Sequence, residues 1–91
     1  MRRAAKVDAN QARIVAALRR IGVAVEVIGQ PVDLLICNRG VTELMEVKNP
    51  DGRNRITKAQ AEFIARWPGT IHFVRSVDEA LNAVVMKGSR L

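Results

Sequence analysis

Residues 31–48, PVDLLICNRGVTELMEVK, contain two apolar runs joined by a short polar turn. The first run, 32–37, is apolar except for Asp33, and the second, 42–48, combines apolar with charged residues. Short runs rich in apolar and β-branched residues, bounded by turn residues, are typical of strands. We therefore predict a β-hairpin whose turn is centred on Arg39-Gly40, and the remaining elements are placed around it.

The register of this hairpin brings two acidic residues together. With a two-residue turn, Asp33 falls directly opposite Glu46; a four-residue loop with the same centre gives the same pairing, and a three-residue loop does not. Directly opposed Cβ atoms lie about 4.5–5.5 Å apart, and like charges at that distance repel each other. Lys48 is two residues beyond Glu46 and is therefore expected on the same face of the sheet.

Two carboxylates and an ammonium on one patch suit the hydrolysis of a phosphodiester. A hard cation such as Mg²⁺ takes oxygen ligands and would turn the repulsion between Asp33 and Glu46 into coordination. It would also polarise the phosphate and lower the pKa of a bound water, which Lys48 would orient or help to deprotonate. The alternative is a structural ion cluster in which the lysine only neutralises the two acids. We expect the catalytic arrangement, because the residues lie on a predicted hairpin in a basic chain.

The segments around the hairpin predict three helices and two further strands. In chain order the predicted elements are a helix at 8–21, strands at 23–28, 32–37 and 42–48, a helix from Thr57, a strand at 70–75 and a helix capped by Ser76. This order, αβββαβα, predicts an α/β fold with a mixed four-stranded sheet flanked by helices. The 91 residues suffice for a single domain, and residues 1–7 and 87–91 are expected to be flexible tails.

Composition and charge restrict the classes of partner and of metal site. The net charge is +6, and eleven of the fifteen basic residues are arginine, which suits bidentate phosphate contacts. A basic balance in a small domain favours nucleic acid as the partner. With one cysteine and one histidine, the chain can form neither an intramolecular disulfide nor a Cys/His metal cluster. No apolar run approaches the about 20 residues of a membrane span, so we expect a cytoplasmic protein that does not bind membranes.

From the first predicted helix to the third, the chain resembles the PD-(D/E)XK nuclease superfamily. It is most similar to small phage-type proteins of the virus-type replication-repair (VRR-NUC) branch, which are similar to Holliday-junction resolvases. That family has an aspartate on one strand, Glu-x-Lys on the next and a glutamine in the following helix, and the residues that match are Asp33, Glu46-Val47-Lys48 and Gln60. The resemblance implies a restriction-endonuclease-like core in which Asp33, Glu46 and the Val47 carbonyl bind Mg²⁺ or Mn²⁺. It also implies that Lys48 assists the attacking water.

The resemblance implies a metal-dependent DNA endonuclease that needs no small-molecule cofactor. Its substrate would be branched, flapped or junction DNA in the replication or repair of a phage or mobile element, within the cytosol of a bacterium or infected host. A homodimer is expected, because cutting a duplex or a junction symmetrically needs two sites related by a two-fold axis. Two alternatives stay open: a non-catalytic nucleic-acid-binding protein with a nuclease-like fold, and an accessory subunit of a replication or repair complex.

The chain departs from the family pattern in two places. Pro31 stands two residues before Asp33 instead of directly before it. The first helix has no glutamate that could add a metal ligand, and offers Asp8 and Gln11 as possible additional site residues. Gln11 lies on the inner stripe of that helix and could face the site. The alternative is a capping box in which Asp8 is the N-cap and Gln11 follows three residues later.

Further candidates lie on the second helix and in the loop before it. Gln60 stands three residues after Thr57, so it either completes a capping box or points into the site from the inner stripe of the helix. Several basic residues are expected to contact phosphates, with plain solvation as the alternative. These residues are Arg53, Arg55 and Lys58 beside the proposed metal, and Arg13 on the first helix.

Overall fold

The computed structural model describes the backbone of residues 4–51 and 55–89 and the side chains of residues 9–51 and 55–85. Over these residues the chain forms, in order, α1 (Ala4–Arg20), β1 (Ala24–Val27), β2 (Leu34–Asn38), β3 (Val41–Val47), α2 (Lys58–Arg66), β4 (Ile71–Val74) and α3 (Val77–Ser89). The predicted α/β class with a mixed four-stranded sheet is confirmed, and these residues also form three helices. The helices include residues 4–7 and 87–89 of the two segments predicted as flexible tails.

The four strands lie side by side in the order β1-β2-β3-β4. The first two pairings are antiparallel, whereas β3 and β4 are parallel. A parallel pair needs a crossover connection, and α2 is part of it. The β2–β3 hairpin turns on Arg39 and Gly40, whose φ angles of 55° and 80° are those of a two-residue turn that matches the twist of the strands. Leu34 pairs with Met45, so the predicted register is confirmed.

The hydrophobic core lies on one face of the sheet, under α1 and α3. Its members are mostly branched aliphatic residues, as the scarcity of aromatics requires, and include Ile14, Leu18, Val25, Leu34, Ile36, Met45, Val47, Val74, Ala80 and Val84. Since side chains alternate along a strand, the neighbours of Met45 and Val47 point to the other face. That face carries Glu46 and Phe73, and α2, which approaches it, has no fully buried residue. The polar candidates therefore lie on the open side of the sheet.

The first helix differs from its prediction at the start and agrees with it at the end. It begins at Ala4, four residues before the predicted start, because Ala, Lys and Val in residues 4–7 do not break a helix. Asp8 is therefore inside α1, and the predicted capping box of Asp8 with Gln11 is wrong. Gly22, with a φ of +95°, follows the helix end, where an achiral residue is favoured.

The caps predicted for α2 and α3 are confirmed. The Thr57 hydroxyl accepts a hydrogen bond from the Gln60 N–H at 3.1 Å, and the Ser76 hydroxyl accepts one from the Glu79 N–H at 3.1 Å. The Glu79 side chain reaches back to the residue before the cap and accepts a hydrogen bond from the Arg75 N–H at 2.6 Å. The Gln60 side chain makes no such return bond, because it is directed towards the other candidate residues.

Candidate active site

Asp33 and Glu46 lie side by side at one end of the β2–β3 hairpin, each held by the backbone of the other's segment. The Asp33 N–H donates to Glu46 Oε1 at 3.1 Å, and the Val47 N–H donates to Asp33 Oδ2 at 2.8 Å. Both side chains are partly buried. This reciprocal pair fixes two carboxylates next to each other on the open face of the sheet, as the hairpin register predicted.

The prediction that Asp33 lies inside a strand is wrong. Asp33 stands directly before β2, which begins at Leu34. Its carbonyl accepts hydrogen bonds from the Ile28 N–H at 2.9 Å and from the Gly29 N–H at 3.1 Å, and so closes the connection between β1 and β2. The next residue back, Val32, is fully buried and anchors this connection in the protein interior. Asp33 is thus held at the start of β2 by local backbone bonds to Ile28 and Gly29, so the carboxylate lies outside the strand interior.

The electrostatics of the pair favour a positive charge beside it. Burial raises the pKa of the Glu46 carboxyl above its ordinary value, and the neighbouring charge of Asp33 raises it further. A hydrogen bond from the Gln60 side chain acts on the same pKa in the opposite direction. Because the ionised form of Glu46 is disfavoured in the folded protein, a cation that offsets the repulsion would stabilise the pair.

The oxygens at this position fit a hard divalent cation with few protein ligands. The backbone hydrogen bonds use Oδ2 of Asp33 and Oε1 of Glu46, so one oxygen of each carboxylate lies outside these two bonds. Side-chain hydrogen bonds with Gln60 and Asp33 also act on the Glu46 carboxylate. The Val47 N–H points to Asp33, and the C=O of a strand residue points to the same side as its N–H, so the Val47 carbonyl faces this side too. Mg²⁺ is commonly bound by one or two carboxylates together with waters and phosphate oxygens.

The supply of acidic ligands is small in the part of the chain that the structure describes. No group of three or more His, Cys, Asp or Glu side chains that could hold a metal occurs there. The side chain of Asp8, predicted as an additional ligand, lies outside the described side chains. Gln11 lines a shallow groove beside Val27 and makes no hydrogen bond to either acid. Among the described side chains, Asp33 and Glu46 are therefore the acids on which a cation at this site would depend.

Lys48 lies on the same face as the two acids but is not paired with them. Its Nζ atom is 5.5 Å from the centroid of the Phe73 ring, and Phe73 is the β4 partner of Glu46. Among the described residues, no acidic side chain forms an ion pair with this lysine. The alternative of a cluster in which Lys48 neutralises Asp33 and Glu46 is therefore not what the structure contains. The ammonium rests on an aromatic ring next to the acids.

Gln60 enters the candidate site from α2. Its Nε2 atom donates to the Pro31 carbonyl at 3.1 Å, and its side chain also hydrogen-bonds the Glu46 carboxylate. Of the two uses predicted for this residue, the structure favours contact with the site over the capping box. The glutamine thereby joins α2 to the acid pair and to the β1–β2 connection.

Asn10, which the sequence did not single out, is a buried polar residue beside the same strand ends. It is 7% exposed, and its Nδ2 atom donates to the carbonyls of Lys48 at 3.4 Å and Arg75 at 3.1 Å. A signal was present in the sequence, because Asn10 continues the i, i+4 spacing of Ile14 and Leu18 on the inner face of α1. Asn10 ties the first helix to the backbone on which the lysine is mounted.

The basic residues predicted to contact DNA are spread over different surfaces. Arg55 and Lys58 are exposed at the start of α2, on the connection that leaves β3 beside the acids. Arg53 lies on the same connection but outside the described residues. Arg13 is exposed on α1, which packs on the opposite face of the sheet from Glu46. Arg55 and Lys58 are therefore closer in the fold to the acids than Arg13 is.

Comparison of the chain with protein-family models, with curated proteins and with solved structures finds no match. Within residues 4–51 and 55–89, no helix has both the length and the apolar character needed to cross a membrane. Function is therefore inferred from the chemistry and geometry of the site.

Proposed function

We propose that this chain is a metal-dependent DNA endonuclease of the PD-(D/E)XK type, close to the VRR-NUC branch and built on a restriction-endonuclease-like core. The observation that carries the proposal is the reciprocal hydrogen bonding that holds Asp33 and Glu46 side by side and partly buried, with no ion pair to a basic side chain among the described residues. In this arrangement the two ionised carboxylates repel each other, and a divalent cation bound to both would offset that repulsion.

The two acids and the Val47 carbonyl would hold Mg²⁺ or Mn²⁺. When bound, such a cation supplies polarisation of the phosphodiester and activation of a water molecule at neutral pH. The protein contributes the orientation of the oxygens: the Val47 N–H holds the Asp33 carboxylate, and the Asp33 N–H and Gln60 hold that of Glu46. Groups fixed in advance in this way need not reorganise during the reaction.

Lys48 would act on the attacking water or on the charge that develops at the phosphate. Its ammonium shares a face with Glu46 and is not consumed by an ion pair with a described acid. Stacking on Phe73 limits the directions in which the long side chain can extend. Asn10 holds the Lys48 carbonyl and so fixes the backbone from which the side chain starts.

DNA is the proposed substrate because the chain carries a net charge of +6 and a basic segment follows the site. Arg55 and Lys58 are exposed there and would contact phosphates without selecting a sequence. A structure-specific activity on flapped or junction DNA, in phage or mobile-element replication or repair, accords with this type of nuclease. A homodimer with two sites open to one DNA would permit cleavage of both strands.

The direct test is cleavage of supercoiled plasmid, which reveals even a single nick, and of flapped and four-way-junction DNA, each with Mg²⁺, with Mn²⁺ or with EDTA. We expect cleavage that requires the metal and is lost in Asp33→Asn. Asp78→Asn, the same change at an exposed position of α3, serves as the matched control and should remain active. Cleavage that persists in Asp33→Asn or in EDTA would contradict the proposal.

A second candidate is nucleic-acid binding without cleavage. It is favoured by the small number of acidic ligands, since the described residues provide no group of three. The same experiment separates the two candidates. Tight DNA binding with no nick in any metal would identify a binding protein with a nuclease-like fold.

A further inference from the structure

A groove of about 800 Å³ opens between the β1–β2 connection and α2. It directly adjoins the acid pair, because Pro31 and Gln60 line the groove while Gln60 also hydrogen-bonds the Glu46 carboxylate. Its volume falls within the range of about 300–1,000 Å³ that is usual for ligand pockets. A molecule that occupied this groove would therefore lie next to whatever is bound at Asp33 and Glu46.

One wall of the groove is aromatic and carries a cation. The Phe63 ring is stacked on Trp67, with the centroids 5.2 Å apart and the planes inclined by 29°. The Arg66 guanidinium lies 5.6 Å from the centroid of the same Phe63 ring. Phe63 and Arg66 both line the groove, and Arg66 is exposed. The wall thus offers flat surfaces to a planar ligand and a positive charge to an anionic one.

We propose that this groove binds an unpaired nucleotide of a DNA strand whose adjoining phosphate lies at Asp33 and Glu46. The inference rests on the proposed nuclease function and adds the site at which an unpaired base would be bound. Unpaired bases stack on aromatic rings and guanidinium planes, and aromatic stacking tolerates any base. Within a duplex both faces of a base are covered by its neighbours, so only an unpaired or extruded base can offer a face to Phe63 or Arg66.

The polar residues of the groove fit the remainder of a nucleotide. Thr57, Gln60 and Gln30 also line it, and they supply hydroxyl and amide groups that can bond to base edges or sugar oxygens. The Arg66 guanidinium provides charge for a neighbouring phosphate. The groove therefore selects flaps, junctions and single-stranded ends over blunt duplex, through stacking next to the cleaved bond.

Binding is measured in EDTA at fixed salt, so that no cleavage occurs and the result does not depend on metal. The probes are a short fluorescently labelled single-stranded oligothymidylate and a blunt duplex of similar length, followed by anisotropy. Trp67, the single tryptophan of the chain, reports on the groove because it is stacked on Phe63. We expect the single strand to quench Trp67 and to bind about tenfold more tightly than the duplex.

A pair of alanine substitutions tests the location. Ala59 and Ala61 are both exposed on α2, but only Ala59 lines the groove. Ala59→Leu should fill the groove and weaken single-strand binding about tenfold, while Ala61→Leu leaves it unchanged; leucine is a good helix former at either position. Arg66→Gln should likewise weaken single-strand binding, with Arg20→Gln on α1 as its control.

The outcomes separate this inference from the proposed nuclease activity. Ala59→Leu protein that binds the single strand as tightly as the parent overturns the groove assignment. Equal affinity of the parent for single strand and duplex overturns it too, even when plasmid is cleaved normally in Mg²⁺. If groove binding occurs as expected but no metal supports cleavage, the groove assignment stands and the nuclease activity fails.

Discussion

Two glutamates on the same strand, Glu43 and Glu46, have opposite surroundings. Glu43 points to the face of the sheet that the helices cover, and its carboxylate lies 2.7 Å from His72 Nε2. Glu46 points to the open face, where its side-chain neighbour is another acid, Asp33, and burial and that acid raise its pKa. The histidine gives the Glu43 carboxylate a hydrogen-bond partner within the fold. The Glu46 carboxylate lies beside another acid, and a bound cation would offset the repulsion between the two.

This difference separates a structural carboxylate from a functional one by physical criteria. Both glutamates are partly buried and both lie on β3, so neither burial nor secondary structure distinguishes them. What distinguishes them is the neighbouring group: Glu43 has an imidazole as its hydrogen-bond partner, whereas Glu46 has a second carboxylate beside it. Stability favours the arrangement at Glu43, and an unfavourable arrangement retained in a small domain is a reason to assign function to Glu46.

The largest expected effect concerns the lysine at the Glu46 end of β3. Lys48→Ala should lower the cleavage rate by about a hundredfold or more while DNA affinity changes little, because its ammonium is proposed to act in the chemical step. Single-turnover cleavage and anisotropy binding measure the two quantities separately. Glu43→Gln, at the other end of the strand, is the control and should cleave at a rate close to that of the parent. Normal cleavage by Lys48→Ala would remove the lysine from the mechanism.

A smaller effect is expected on the stability of the metal-free protein, with opposite signs at the two glutamates. The folded-state pKa of Glu46 is raised above its ordinary value, so this group reduces stability as the pH rises through that raised pKa. Glu46→Gln should therefore increase the free energy of unfolding at neutral pH in EDTA and make little difference at a pH low enough to protonate the acid. Glu43→Gln should lower it by about 1 kcal/mol, through the weakened bond to His72.

Urea unfolding of both variants at neutral and acidic pH measures these differences. Destabilisation by Glu46→Gln at neutral pH would mean that this carboxylate is satisfied within the fold, and the contrast between the two glutamates would disappear.

The smallest expected effect concerns DNA binding next to the Glu46 end. Arg55→Ala should reduce the slope of log affinity against log salt by about 1, the value for one lost phosphate contact. Arg20→Ala, on α1 at the other side of the molecule, should leave the slope unchanged. Salt titrations of binding in EDTA give both slopes. Equal slopes for the parent and Arg55→Ala would leave Arg55 as a solvated residue.

The parts of the site that the sequence predicted depend on local rules. The hairpin register follows from a two-residue turn centred on Arg39-Gly40, and with the alternation of side chains this turn places Asp33 opposite Glu46. The caps at Thr57 and Ser76 likewise depend on residues only three positions apart. Such relations can be recognised in a single sequence because few other conformations compete with them.

The parts that the sequence left open depend on distant contacts. The Lys48 ammonium lies over the Phe73 ring because β3 and β4 pair in one particular parallel register. Residues close to Lys48 in the sequence do not specify that register. Asn10 donates to carbonyls 38 and 65 residues away along the chain. For Gln60 the sequence allowed either a capping box on its own helix or a contact with the site. Its hydrogen bonds with Pro31 and Glu46, on other elements, favour the contact with the site.

The central claim is that Asp33 and Glu46 together bind one divalent cation, and Mn²⁺ binding tests it most directly. Electron paramagnetic resonance of free Mn²⁺ during titration gives the number of bound ions for the parent, Asp33→Asn and Glu43→Gln. We predict one ion for each chain in the parent and in Glu43→Gln, and none in Asp33→Asn. At 100 times the Kd, this ion should stabilise the parent by about 2.7 kcal/mol. Equal Mn²⁺ binding by Asp33→Asn and the parent would contradict the account.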